Sequence, residues 1–159
     1  MFGSSSFKAA KEYEEIDLET KVVAASPIQL VILLYDGAIS SCKSAVIQIH
    51  NRSMEKKGQA LTKAIMIIES GLRVSLDKKA GGEVAENLDA MYQYMSDRLY
   101  VANLRVQAEP VQEVIDLLVD LRSAWVAISR NPAAVEKQAI GNRTSVILEK
   151  TASWTKNWL

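Results

Sequence analysis

The chain has 159 residues, 48% of them hydrophobic, a size and composition suited to one domain with a full apolar core that needs neither a cofactor nor a disulfide. Its 19 basic and 19 acidic residues cancel, so no overall field recruits nucleic acid or an anionic membrane. The single cysteine, Cys42, has no bridging partner, the N-terminus lacks the apolar run of a signal peptide, and about 18 unbroken apolar residues occur nowhere, which together predict a cytoplasmic protein without membrane insertion.

Residues 4 to 14 read as a short, marginal helix capped by one of Ser4 to Ser6 and carrying Phe7 and Tyr13. Residues 15 to 25 are β-branched and polar by turns, as at Ile16, Thr20, Val22 and Val23, and read as a connector. The first long helix is predicted from 26 to 49. Ser26 suits the N-cap, Pro27 the first helical position, and Gln29 completes a Ser-x-x-Gln capping box. Wound at about 100° per residue, it puts Ile28, Val31, Ile32, Tyr35, Ile39, Cys42, Val46 and Ile49 on one core-facing stripe. Leu30, Leu33 and Leu34 fall on the opposite side, followed by the small residues Gly37, Ser41 and Ser44, where a surface helix is ordinarily polar.

His50 to Ser53 end this helix, and a second runs from about 56 to 76 with Leu61, Ala64, Ile65, Ile68, Leu72 and Leu76 on its stripe. It too has a spare apolar side, with Ala60, Ile67, Gly71 and Val74. Residues 77 to 82 form a turn by composition, with glycines at its end. A third helix, 83 to 106, has one apolar face through Val84, Leu88, Met91, Met95, Leu99, Ala102 and Val106, flanked by Tyr92. Pro110 opens a fourth, to about 128, with Val111, Val114, Ile115, Leu118, Leu121, Trp125 and Ile128 on one broad face; Asn131-Pro132 stops it. Residues 133 to 159 form a tail in which Gly141-Asn142 interrupts the pattern and Trp154 and Trp158 stand one turn apart.

No strand candidate survives. Four long helices with short connections predict an all-α, antiparallel up-and-down four-helix bundle in residues 1 to 130, with residues 1 to 25 as an N-terminal segment laid over it, and a C-terminal extension from 131 to 159. The chemistry of catalysis is missing. The only histidine, His50, has no glutamate three residues before it, which argues against a metal site and most catalytic triads, and Gly81-Gly82 lacks the context of a phosphate loop. The acidic residues Glu69, Asp77, Glu83, Glu86 and Asp89 read as solvated faces or helix starts, and Cys42 as a small buried hydrophobe. A non-enzymatic binding protein without cofactor follows.

The run Ala25-Ser26-Pro27-x-Gln29-Leu30-x-x-Leu33-Leu34-Tyr35-Asp36-Gly37-Ala38 resembles the opening helix of the flagellin-specific export chaperones, the FliS family. Lys63-Ala64-Ile65, Gly71-Leu72-Arg73-x-Ser75-Leu76-Asp77, Gly81-Gly82-Glu83, Asn87-Leu88, Tyr92-x-Tyr94-Met95, Ala102-Asn103 and Leu121-Arg122-x-Ala124-Trp125 look like its later blocks, in the same order, and Tyr13 matches its N-terminal tyrosine. The resemblance implies a cytoplasmic chaperone that binds the disordered C-terminal segment of flagellin, blocks premature polymerisation and helps deliver the complex to the flagellar export gate. It also implies that Tyr13 and its neighbour Ile16 belong to a lid over part of the binding surface.

The spare stripes then become the expected client-binding residues: Leu30, Leu33, Leu34, Gly37 and Ser41 on the first helix, Ile67, Gly71 and Val74 on the second. Two structural alternatives stand beside this reading. The leucines are buried under residues 1 to 25, which is compatible with a lid over a site, and the second-helix residues pack on a neighbouring helix. For the tail, the alternatives are a helix packed back on the bundle, a client-like segment bound in cis, or a docking peptide for another export component. The chaperone reading predicts a monomer or weak homodimer that takes up one client; the competing reading is a bundle adaptor for another flagellar regulator.

Overall fold

A computed structural model of the chain describes residues 26–131, which form four helices with no strand among them. Helix α1, Pro27–His50, starts at the predicted capping box: the Ser26 hydroxyl accepts from the Gln29 amide at 3.3 Å, and the Gln29 side chain accepts from the Ser26 amide at 2.9 Å. Helix α2, Met54–Met66, continues into a π-helical segment, Ile67–Arg73. Helix α3, Lys78–Arg105, contains a break at Gly82, whose φ of +51° is easy for glycine and strained for other residues. The turn before the break is capped by the Asp77 carboxylate, which accepts from the Lys79 and Ala80 amides at 3.1 Å each. The uninterrupted helix therefore begins where the glycines predicted.

Helix α4, Ala108–Arg130, starts two residues earlier than expected, so that Pro110 is its third residue, not its first. The first amides of a helix have no acceptor in any case, so proline costs nothing there. Val106 departs from its predicted place on the core face. It ends α3 in a left-handed conformation, φ +55°, and is 40% exposed.

Each helix packs on two others in a ring: α1 on α2 and α4, and α3 on α4 and on the α2 segment. The core holds Tyr35, Ile39 and Cys42 of α1, Leu61, Ile68 and Leu72 of α2, Met91, Met95 and Leu99 of α3, and Val111, Val114, Leu118 and Leu121 of α4. These are the predicted stripes. Ala38, Ser41 and Ala45 are buried with them, because small residues on α1 let its neighbours approach closely. Helix α1 alone among the described helices is long and apolar enough to cross a membrane, and its buried face is that of the bundle's core.

Candidate functional site

The site was expected on the second apolar sides of the first two helices. At the end of the bundle where α1 begins and the π segment ends, those sides meet each other. A Cβ added to Gly71 would lie 3.0 Å from Leu34 Cδ2, and one added to Gly37 would lie 3.3 Å from Ile67 Cδ1. Leu34 and Ile67 are partly buried against the core. The glycines thus let α1 and α2 come together, knob on bare backbone, and four of the expected client contacts form a packing seam between helices. Ser41, also expected on the client face, is 7% exposed. Leu30, at 37% exposure, and Val74, at 75%, remain open on either side of the seam, with Leu33 half-buried beside them. Tyr13 and Ile16 lie outside the described residues, as does the tail.

Beneath the seam sits a buried polar cluster that residue spacing alone did not reveal. Tyr35 and Tyr92 are joined hydroxyl to hydroxyl at 2.5 Å, with ring centroids 6.4 Å apart, and Trp125 Nε1 donates to the Tyr35 hydroxyl at 3.2 Å. Tyr92, read from sequence as a flank, is 1% exposed. Burial and the neighbouring phenol hold the Tyr35 hydroxyl well above the usual range, and burial pushes Tyr92 up to about 12. Both stay neutral at any physiological pH. The Cys42 thiol is likewise pushed up to about 12 by burial, which suits an inert core residue.

Ion pairs fix the helices that carry the seam. Arg122 of α4 donates to Asp36 of α1 at 2.5 Å. Arg73, in the π segment, donates to Asp89 at 2.6 Å, to Glu69 at 2.9 Å and to Gln93, tying the segment to α3. The Arg73 hydrogen bond holds the Asp89 carboxyl below the usual carboxylate range. Among the described residues no cluster of histidine, cysteine or carboxylate side chains is placed to hold a metal ion. Among the described residues the arrangement offers apolar surface for binding.

Residues 9–132 match the family described as flagellar protein FliS. The chain belongs to the FliS family. Among its relatives, the flagellar secretion chaperone FliS of Salmonella typhimurium is 43% identical over 129 residues, 81% of this chain and 93% of that protein. The Escherichia coli flagellar secretion chaperone FliS is 40% identical over 129 residues, with 81% of this chain and 95% of that protein covered. FliSB of Pseudomonas aeruginosa, also a flagellar secretion chaperone, is 38% identical over 122 residues, 77% and 96% of the two chains. As a FliS-family protein the chain is a flagellar export chaperone with an all-α bundle. The FliS match takes in residues from 9 onward, ahead of α1, and stops at residue 132, so residues 133–159 lie outside it.

Proposed function

We propose that this chain binds the disordered C-terminal segment of flagellin in the bacterial cytoplasm, keeps it from polymerising, and accompanies it to the flagellar export gate. The observation that carries this reading is Leu30 and Val74 left open beside a close-packed apolar seam, at the end of the bundle where residues 1–25 join it. An amphipathic client laid across α1 and α2 covers Leu30, Leu33 and Val74, while Leu34, Gly37, Ile67 and Gly71 hold the surface beneath in shape. Ser41 supports from the core. Residues 1–25, with Tyr13 and Ile16, act as the lid that covers this surface when no client is present, so residues 1–130 work as one chaperone unit and 131–159 as an extension.

The energetics are those of burial without catalysis. Apolar surface removed from water contributes about 25 cal/mol per Å², and covering several leucine-sized residues offsets a client ordering cost of about 2–5 kcal/mol. Binding needs no nucleotide, and competition at the export gate serves for release. The test mixes the full chain with a peptide covering the C-terminal region of the cognate flagellin, following complex size by light scattering and peptide helicity by circular dichroism. The expected result is a one-to-one complex with a gain of helix from a free chaperone that is a monomer or weak dimer. No binding would move the assignment to a bundle adaptor for another flagellar component.

A further inference from the structure

At the end of the bundle opposite this seam, the sparse contact of α2 with α3 implies a shallow groove between them. Helix α2 lies far more closely along α1 than along α3. Two bonds set the register of the α2–α3 pair: the buried Lys57 donates to the Asn103 carbonyl at 2.9 Å, and Arg73 donates to Asp89. In antiparallel helices held at those points, Met54 and Gly58 lie opposite residues 102 to 106, and Ile65 opposite Ser96. Nothing lies within 4 Å of the place a Cβ would take on Gly58, so the α2 side is open to its backbone. On the α3 side, the outward stripe runs Glu86, Ala90, Gln93 and Asp97, polar except for the one small alanine, and then turns strongly apolar at Tyr100, 56% exposed, and Leu104, 84% exposed. Met54, at 45%, completes the apolar lining. By helical phase the rims carry Glu55 and Asp97 and the Lys57 ammonium is buried between the helices, whereas Lys56, Arg98 and Arg105 fall on other sides of their helices, Arg98 against Glu113 of α4. A second copy of the chain would set acid rim against acid rim. The fitting occupant is mainly apolar, with basic groups only at its edges.

The chain itself carries such a segment outside the FliS match. Trp154 and Trp158 stand close together in sequence, and Lys150 and Lys156 accompany them. Tryptophan is the side chain best suited to anchor in an apolar groove, and the lysines complement Glu55 and Asp97. Reach is sufficient: α3 is about 42 Å long at 1.5 Å per residue, and the stretch from Asn131 to Trp154 extends to about 75 Å. We propose that the segment containing Trp154 and Trp158 docks in the α2–α3 groove of its own chain, shielding Met54, Tyr100 and Leu104 and leaving the seam at the other end free for a client.

The test is cross-linking in the full chain. Thr62, exposed on the α3 side of α2, and Asn157, between the two tryptophans, are replaced by cysteine, and intramolecular disulfide is measured after mild oxidation; buried Cys42 stays in place. A Val74→Cys with Asn157→Cys chain is the control, because Val74 lies at the end of the bundle where α4 delivers the tail. The expected result is at least fivefold more intramolecular disulfide at Thr62 than at Val74, with Tyr100→Ser plus Leu104→Ser cutting the Thr62 yield about fivefold. Those two side chains are exposed, and circular dichroism checks that the bundle is retained. Equal yields at the two sites, disulfide only between chains, or a yield indifferent to the Tyr100 and Leu104 changes would overturn the proposal. Client affinity is not read in this experiment, so its failure leaves the flagellin reading standing, and loss of the flagellin reading leaves this result intact.

Discussion

Tyr35 is the residue on which three helices converge, since its hydroxyl meets Tyr92 of α3 and Trp125 of α4 from a position in α1. A buried phenol without a partner is costly, so each of these groups is held in place by the need to satisfy another. Tyr92→Phe removes one partner and one buried hydrogen bond, and the expected loss is about 1 kcal/mol of unfolding free energy in a urea titration. Trp125 still donates to Tyr35 in that variant, which keeps the loss moderate. Leu30 obeys different physics. It lies in the first turn of α1, where a carboxylate favours the helix dipole, so Leu30→Asp is expected to change folding stability by under about 0.5 kcal/mol. The same change in the flagellin peptide titration is expected to weaken binding about tenfold, or about 1.4 kcal/mol. Equal losses in both measurements would make Leu30 a structural residue and not a contact for the client.

At the scale of elements, the α1–α2 seam and the α2–α3 ion pairs set how the π segment is held. Gly71→Val puts a branched side chain where Leu34 already sits at contact distance, and overpacking of this kind costs about 1–3 kcal/mol. Leu34→Ala makes room. In a double-mutant cycle the pair is expected to couple by at least about 1 kcal/mol, measured by chemical denaturation, whereas additive losses would mean that Leu34 and Gly71 do not pack on each other. The ion pair has a pH signature. Asp89 has a folded pKa below its unfolded one, so its contribution is present above about pH 4, the unfolded value, and is lost as pH falls through the lower folded value. Asp89→Asn is thus expected to cost about 1 kcal/mol at neutral pH, as befits a pair on the partly exposed side of the bundle. The gap between wild type and variant closes in acid, which thermal unfolding across the acid range would follow.

For the molecule as a whole, balanced charge and the proposed apolar binding face make one expectation quantitative. With 19 charges of each sign, long-range steering of a client is small. Between about 0.05 and 0.5 M salt, which shortens the screening length severalfold, flagellin-peptide affinity is expected to change by less than about threefold. A steep fall in affinity with salt would assign the binding to ion pairs and remove Leu30, Leu33 and Val74 from the centre of the surface. Helix α1 packs on both α2 and α4, and its exposed large apolar side chains are Leu30 in the first turn and Ile47 near the end.

Helix existence, the capping box at Ser26, the core stripes and the position of the glycine break were all legible in the residues, because capping, periodicity and backbone freedom are local and each leaves its mark within a few positions. The family was legible for a related reason, in ordered blocks that a close-packed bundle keeps together. What tertiary structure alone decided is which residues of the spare stripes pack on a neighbouring helix. A small residue on a helix reads the same whether a client or a neighbouring helix lies over it, and only the packing put Leu34 on Gly71 and Ile67 on Gly37. It likewise moved Ser41 and Tyr92 inside, gave Lys57 a carbonyl on α3, and left Leu30, Val74, Tyr100 and Leu104 outside. Burial is a property of two surfaces, and a sequence read one helix at a time supplies only one of them.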